Sequence, residues 1–146
     1  MREEPTLESI DFTTEFGQRA LNRLENEQVI WMTTTSKSGA PQPSPVWFVW
    51  EDGNVLIYSQ PNTPKVRGIE RNSRVSLNFN STHSGGDVVV FSGSAEILGT
   101  EPSSDRIAAY QAKYGSSIVG LDHTPESFAA DYSVAIRVTL EKLRGF

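Results

Sequence analysis

Two apolar segments flank the dipeptide Asp52-Gly53, and this arrangement is the strongest constraint that the sequence places on its fold. Pro43–Glu51 reads PSPVWFVWE and Asn54–Ser59 reads NVLIYS, so β-branched and aromatic residues predominate on both sides. Asp-Gly between two such segments predicts a tight turn that joins antiparallel strands. The chain is therefore expected to contain an antiparallel sheet rather than repeated βαβ units.

Four further segments have strand-like patterns, and one of them contains a glycine that predicts a bulge or a bend. Arg74–Asn80 alternates polar and apolar residues, and Gly93 interrupts the long segment Asp87–Leu98. The remaining two strands are predicted at Gln28–Thr35 and Tyr132–Leu143. Helical spacing or helix-start signals occur at residues 13–27, 63–72, 102–114 and 124–131. The six predicted strands and the few predicted helices favour a mainly β (α+β) fold. This fold would be a six-stranded antiparallel barrel, closed or split, with a few flanking helices.

Composition narrows the function classes. The 146 residues fit one domain, predicted over residues 11–146 after a flexible lead-in at residues 1–10. The net charge of −5 argues against nucleic acid as a partner, and no apolar segment approaches the ~20 residues of a membrane span. The absence of cysteine excludes thiolate catalysis and fits a cytoplasmic protein. His83 and His123 lie far apart without metal-ligand spacing, so no metal site is expected.

The segment from Thr63 onwards has an unusual charge distribution for a helix start. Thr63 is a good N-cap and Pro64 suits the first helical position. Lys65 and Arg67 follow in the first turn, where the helix dipole disfavours cations, and residues 65–74 carry four cations against one carboxylate. An anion bound at the helix N-terminus would explain this placement. The alternative is a solvent-exposed basic face.

The segment before Asp52 is apolar on both of its predicted faces, so one face is expected to line the barrel core. A partner subunit, a flat ligand or a helix of the same chain could cover the other face. A phosphate site is predicted one strand away from this segment. A ligand with a flat ring and an anionic tail would therefore account for both the second apolar face and the cations of the phosphate site. The two faces are Val46, Phe48 and Trp50 on one side, and Pro45, Trp47 and Val49 on the other.

The order of these features resembles the pyridoxamine 5′-phosphate oxidase-like superfamily of flavin and deazaflavin oxidoreductases. The most specific part of the resemblance runs from Tyr58-Ser59 through Lys65-x-Arg67 to Asn72-Ser73-Arg74-Val75-Ser76-Leu77. Within that superfamily the chain is similar to the actinobacterial branch that uses the deazaflavin coenzyme F420, whose short members often end in an Arg-Gly-aromatic tail, here Arg144-Gly145-Phe146. The resemblance implies a split β-barrel of Greek-key type.

The resemblance also implies a homodimer that holds two cofactors at the subunit interface, with a small-molecule substrate. No C-terminal Arg-x-His element of the vitamin-B6 oxidases is present, so oxidation of pyridoxamine phosphate is not expected. The residues that would hold the cofactor phosphate are Ser59, Gln60, Thr63, Lys65 and Arg67. Those that would lie along the cofactor ring are Pro45, Val46, Trp47 and Phe48.

The function that the resemblance implies is hydride transfer from reduced F420 to an unsaturated organic substrate. Two alternatives stay open, an FMN-dependent oxidoreductase and a protein that carries the cofactor without turnover. No catalytic residue is identified, since the cofactor ring would perform the chemistry. Tyr58 is a possible proton donor, although a tyrosine of the core or interface is the simpler interpretation.

Overall fold

A computed structural model describes residues 10–51, 53–99 and 102–146, and its centre is an antiparallel sheet. Seven strands form the sheet in the order β2-β1-β5-β6-β7-β4-β3. This confirms the predicted antiparallel split-barrel class, with seven strands where six were predicted. The strands are β1 (Ile30–Thr35), β2 (Pro41–Val46), β3 (Val49–Glu51), β4 (Asn54–Ser59), β5 (Arg74–Asn78), β6 (Val89–Leu98) and β7 (Val134–Gly145).

The additional strand arises because the segment predicted as one strand over residues 43–51 is broken at Trp47 and Phe48. Its first half, β2, pairs with β1, and its second half, β3, pairs with β4. These halves lie at opposite ends of the strand order, but only two residues join them. A link of two residues allows at most roughly 11 Å between the Cα atoms of Val46 and Val49. The sheet must therefore curl until its two edges meet, and this closure lies at residues 47–48.

The predicted hairpin and bulge are both present in the sheet. Gly53 has a φ of +77° between β3 and β4, while Asp52 lies outside the described residues. The register between β6 and β7 shifts between Ser92 and Gly93. A Cβ atom on Gly93 would lie 2.3 Å from the Thr139 carbonyl oxygen, so only glycine permits this close approach of two strands.

Four helices and a short 3₁₀ helix at Ser104–Arg106 flank the sheet. Thr14 caps the first helix. The predicted helix over residues 102–114 divides into the 3₁₀ helix and α3. The lead-in predicted at residues 1–10 lies outside the described residues except for Ile10. The α-helices are α1 (Glu15–Asn26), α2 (Pro64–Arg71), α3 (Ala108–Gly120) and α4 (Pro125–Asp131).

Two apolar clusters lie on opposite sides of the curled sheet. The larger fills the barrel and includes Phe48, Ile57 and Phe91. The smaller lies between the outer face of the sheet and helices α3 and α4, and Val49 and Tyr58 contribute to it. Apolar residues from both faces of the segment before Asp52 are thus buried or partly buried, except for the exposed Pro45. Helices of the same chain cover Trp47 and Val49 on the second face.

The free edge of β2 has an unusual composition, since every second residue is proline: Pro41, Pro43 and Pro45. A proline cannot donate to a sheet, so these three residues must occupy positions whose N–H groups would point away from β1. The outer edge of β2 therefore presents carbonyl acceptors without donors. A row of this kind disfavours the addition of another strand.

Candidate functional site

The N-terminus of α2 follows directly after the end of β4, as the sequence predicted. Thr63 Oγ1 accepts from the Val66 N–H at 3.4 Å, and Thr63 O accepts from the Arg67 N–H at 3.0 Å. Pro64 has no N–H, so the Lys65 N–H is the first-turn donor left without an intrahelical acceptor. The first turn contains no acidic residue. This end of α2 is therefore electropositive.

A glycine fixes the position of this helix against the barrel. Gly68 lies on the buried face of α2, and a Cβ atom there would come within 3.0 Å of the Thr35 carbonyl oxygen and 3.1 Å of Thr34 Oγ1. A larger residue would push α2 away from β1. The close packing holds Lys65, one turn earlier, beside the closure of the barrel.

Beside this helix end lies a cavity of about 190 Å³. Its wall combines five of the nine predicted cofactor-binding residues with residues from β4, from α3 and α4, and from the segments that follow these two helices. The predicted residues in the wall are Pro45, Val46, Trp47, Ser59 and Lys65, and the others are Tyr58, Tyr110, Leu121, Phe128 and Tyr132.

Lys65 is the cation of this cavity. Its side chain is partly buried, and burial lowers the pKa of its ammonium group. Among the residues that the structure describes, none forms a salt bridge with it. A partly desolvated cation without a counterion favours an anionic ligand.

Ser59 and Thr63 lie beside Lys65 with their hydroxyl groups 3.2 Å apart. Ser59 is almost completely buried, and its hydroxyl donates to the Gln60 carbonyl oxygen at 2.9 Å. Both hydroxyl groups thus stiffen the chain between β4 and α2. A phosphate here would meet the Lys65 ammonium group together with the N-terminus of the helix.

The remaining predicted phosphate ligands are less well placed. Gln60 and Arg67 are exposed and do not line the cavity, and the Arg67 guanidinium donates to the Asn62 carbonyl oxygen at 2.5 Å. The other two cations of the segment are further removed. Arg71 lies in the last turn of α2, and Arg74 Nη2 approaches Glu141 Oε2 at 4.0 Å.

Trp47 is part of the cavity wall, but its ring already has aromatic neighbours. It stacks on Tyr114, with ring centroids 4.6 Å apart, and on Phe128, with centroids 5.6 Å apart. Phe128 stacks in turn on Tyr132. A flat ligand is therefore not needed to cover Trp47, because the rings of α3 and α4 already cover it.

Phe48 differs from the prediction in its location. Its side chain is completely buried in the barrel core and does not line the cavity. Its backbone groups are also engaged, because Tyr114 Oη lies 2.8 Å from the Phe48 nitrogen and 2.9 Å from its carbonyl oxygen. Lys113 Nζ donates to the same carbonyl oxygen at 2.8 Å. Phe48 thus closes the barrel, and only its chain neighbours face the cavity.

The place of Tyr110 in the cavity was not predicted from sequence. Helical spacing identifies the buried face of α3 without showing which part of the sheet that face covers. Phe128 was missed for the same reason. Tyr132 was predicted as the first residue of a strand, whereas it follows directly after α4. Tyr58, the possible proton donor, is buried and donates to the Pro102 carbonyl oxygen at 2.6 Å, as expected for a core tyrosine.

Other depressions on the described surface are larger but more open, with volumes between 420 and 490 Å³. None of the predicted cofactor-binding residues lines them. The cavity beside Lys65 is therefore the candidate site. Separately, the helices of the described residues are too short or too polar to cross a membrane.

Comparison with known proteins supports this fold. The sequence model of the family described as pyridoxamine 5′-phosphate oxidase matches residues 16–146, which confirms the predicted resemblance. An F420 reductase superposes with a TM-score of 0.63 at 21% identity, covering 84% of this chain and 94% of the other. None of the curated protein sequences matches significantly.

Two further structures show the breadth of the fold. A conserved hypothetical protein from Mycobacterium tuberculosis has a TM-score of 0.68 at 18% identity, covering 99% of this chain and 88% of the other. HutZ, the heme storage protein from Vibrio cholerae, has a TM-score of 0.62 at 12% identity, covering 90% and 95%. Identities this low establish a common architecture and leave activity open.

Proposed function

The chain belongs to the pyridoxamine 5′-phosphate oxidase family, and we propose that it is an oxidoreductase that binds coenzyme F420 beside Lys65. In the proposed reaction, hydride passes from the reduced cofactor to an unsaturated organic substrate. The observation that carries the proposal is the position of Lys65, a partly buried cation at a helix N-terminus, in the wall of an aromatic cavity. The F420 reductase among the structural neighbours supports the choice of cofactor.

The residues of the cavity fit one end of such a cofactor. Lys65 and the first turn of α2 suit a phosphate group, with Ser59 and Thr63 holding the backbone in place. The cavity volume of about 190 Å³ is somewhat larger than the ~150 Å³ that accommodates benzene, and smaller than the ~300–1,000 Å³ of typical ligand sites. A three-ring cofactor would therefore extend beyond the cavity of one chain.

This shortfall supports the proposal of a homodimer in which a second copy completes the site. Val119 and Leu121, at the end of α3, are exposed apolar residues, and Leu121 also lines the cavity. The proline-bearing edge of β2 disfavours strand addition there. The partner is therefore proposed to pack by side chains over the rim of the cavity.

When bound, the reduced deazaflavin would supply a hydride to a C=C or C=N bond, with the proton taken from water. The protein would bind, orient and exclude solvent. Lys65 would hold the anionic end, while Trp47, Phe128 and Tyr132 would keep water away from one side of the ligand. The cytoplasmic location, predicted from the lack of a long apolar segment together with the cysteine-free composition, stays a prediction.

The cofactor is tested by titrating purified protein with oxidised F420 and oxidised FMN and following fluorescence. We expect F420 to bind more tightly. A preference for FMN of roughly tenfold or more would instead assign the protein to the FMN-dependent alternative.

Catalysis is tested by mixing the protein with reduced F420 and a panel of enones and related acceptors. Substrate-dependent oxidation of the cofactor is expected to exceed the rate without protein. Tight binding of F420 with no turnover across the panel would favour the alternative of a cofactor carrier.

A further inference from the structure

Tyr110 is a completely buried residue in the wall of the cavity, and its hydroxyl group is unsatisfied. No described residue provides a hydrogen-bond partner for Tyr110 Oη. The other buried side-chain polar atoms without a partner in the described residues belong to Thr34, Ser44 and Ser104, none of which lines the cavity. Tyr110 is thus distinguished by combining an unsatisfied hydroxyl with a place at the candidate site.

A buried hydroxyl without a partner is costly, so its presence requires an explanation. Phenylalanine would fill the same volume among Tyr58, Tyr114 and Phe128 without that cost. The aromatic packing therefore explains the ring of Tyr110 and leaves its oxygen unexplained. An acceptor that enters with a ligand would satisfy it.

We propose that Tyr110 is a ligand-binding residue, whose hydroxyl group donates a hydrogen bond to an acceptor atom of the cofactor bound beside Lys65. This inference rests on the proposed function, because it concerns the same cavity. Tyr110 would add a neutral hydrogen-bond donor to the same cavity wall in which Lys65 is the cation. The bound group would thus be recognised by its charge at Lys65 and by an acceptor at Tyr110.

The chemistry of the hydroxyl fits a donor rather than a base. Burial raises the pKa of Tyr110 well above its usual value, and the neighbouring tyrosines Tyr114, Tyr58 and Tyr132 raise it further. The group therefore keeps its proton throughout the neutral pH range. A protonated hydroxyl can donate to a carbonyl or phosphate oxygen without a change of charge.

The test is Tyr110→Phe, with Tyr114→Phe as the matched control from the same helix. Unfolding in urea gives the stability of each protein without ligand, and titration with F420 and FMN gives the affinities. For Tyr110→Phe we expect unchanged or higher stability, together with roughly tenfold weaker binding of the preferred cofactor. Tyr114→Phe is expected to lose stability, because its hydroxyl has partners within the protein.

Each result has a definite meaning. If Tyr110→Phe binds the cofactor within about twofold of the wild type, the inference is overturned while the proposed function stands. A loss of stability in Tyr110→Phe as large as that in Tyr114→Phe would also overturn it, because the hydroxyl would then be satisfied within the folded protein, for example by a buried water. If the wild type binds neither cofactor, the proposed function and this inference fail together.

Discussion

Tyr110 and Tyr114 lie four residues apart on α3 with both side chains completely buried, yet their hydroxyl groups have opposite environments. Their ring centroids are 4.9 Å apart. Tyr114 Oη lies 2.7 Å from the Gln28 carbonyl oxygen and within 2.9 Å of both polar backbone atoms of Phe48. Tyr110 Oη has no partner in the described chain. Burial alone therefore does not separate a structural tyrosine from a ligand-binding one, whereas hydrogen-bond satisfaction does.

Two lysines repeat the contrast. Lys113 supports the closure of the barrel, with Nζ 2.8 Å from the Phe48 carbonyl oxygen and 3.7 Å from the centroid of the Phe48 ring. Lys65 lines the cavity and forms no salt bridge with any described residue. Burial lowers the pKa of both ammonium groups. Lys113 on α3 thus completes the fold, whereas Lys65 on α2 leaves its ammonium group available to a ligand.

The largest expected effect is the loss of stability when the hydroxyl group of Tyr114 is removed. Tyr114→Phe should lower the free energy of unfolding by about 3 kcal/mol, because the Phe48 N–H loses its partner inside the protein. Chemical unfolding followed by tryptophan fluorescence measures the change. A loss below about 0.5 kcal/mol would break the comparison, since Tyr114 would then contribute no more than an unsatisfied hydroxyl.

The next largest expected effect is weaker cofactor binding when the charge of Lys65 is removed. Lys65→Met should weaken F420 binding by about 1–3 kcal/mol through loss of the charged contact. Arg71→Met is the matched control, because it removes the same charge from the other end of α2. Titration of both variants should show a Kd at least roughly fivefold higher for Lys65→Met than for Arg71→Met, or about 1 kcal/mol. Equal losses of affinity in the two variants would show that the positive charge of α2 acts on the ligand in general, without a specific phosphate site at Lys65.

Arg67→Met sharpens the same test. Arg67 and Lys65 are predicted from sequence as equal ligands, but Arg67 is exposed and donates to the Asn62 carbonyl oxygen. Its substitution should therefore weaken binding by less than that of Lys65, by about 1 kcal/mol or below. A larger loss in Arg67→Met than in Lys65→Met would show that the anion lies outside the cavity.

The smallest effect concerns pH. Burial lowers the pKa of Lys113 to about 8, and the Glu27 carboxylate opposes this shift. Between that value and the ordinary 10.5, the unfolded chain binds more protons, so this lysine makes the stability rise with pH. Because the side chain is only half-buried, about 1 kcal/mol is expected.

Urea unfolding of wild type and Lys113→Met at pH values from about 7 to about 10 measures this contribution. The wild type should gain stability relative to Lys113→Met towards the upper end. The range stops there because unfolded tyrosines ionise near their ordinary pKa of about 10 while buried ones do not, which lowers stability in both proteins. Parallel pH profiles would show that Lys113 titrates normally.

The local elements of this protein follow from its sequence. Thr63-Pro64 determines the start of α2, Gly93 of β6 marks the position that faces the bulge in β7, and the alternation in residues 74–80 predicts β5. These features depend on backbone geometry within a few residues, which the amino acids themselves restrict. The unusual cations at residues 65 and 67 are equally a local property, so the candidate phosphate site could be predicted from sequence.

Only the tertiary structure decided which of these residues meet. The sequence gives no sign that the segment before Asp52 breaks at Trp47 and Phe48, because the break is imposed by the two edges of the curled sheet. Nor does it separate Tyr110 from Tyr114, since both have the spacing of a buried helical face. The hydroxyl group of Tyr114 lies beside the Phe48 backbone, whereas Tyr110 lines the cavity. Both environments are formed by segments that are distant in the sequence, so they exist only in the folded chain.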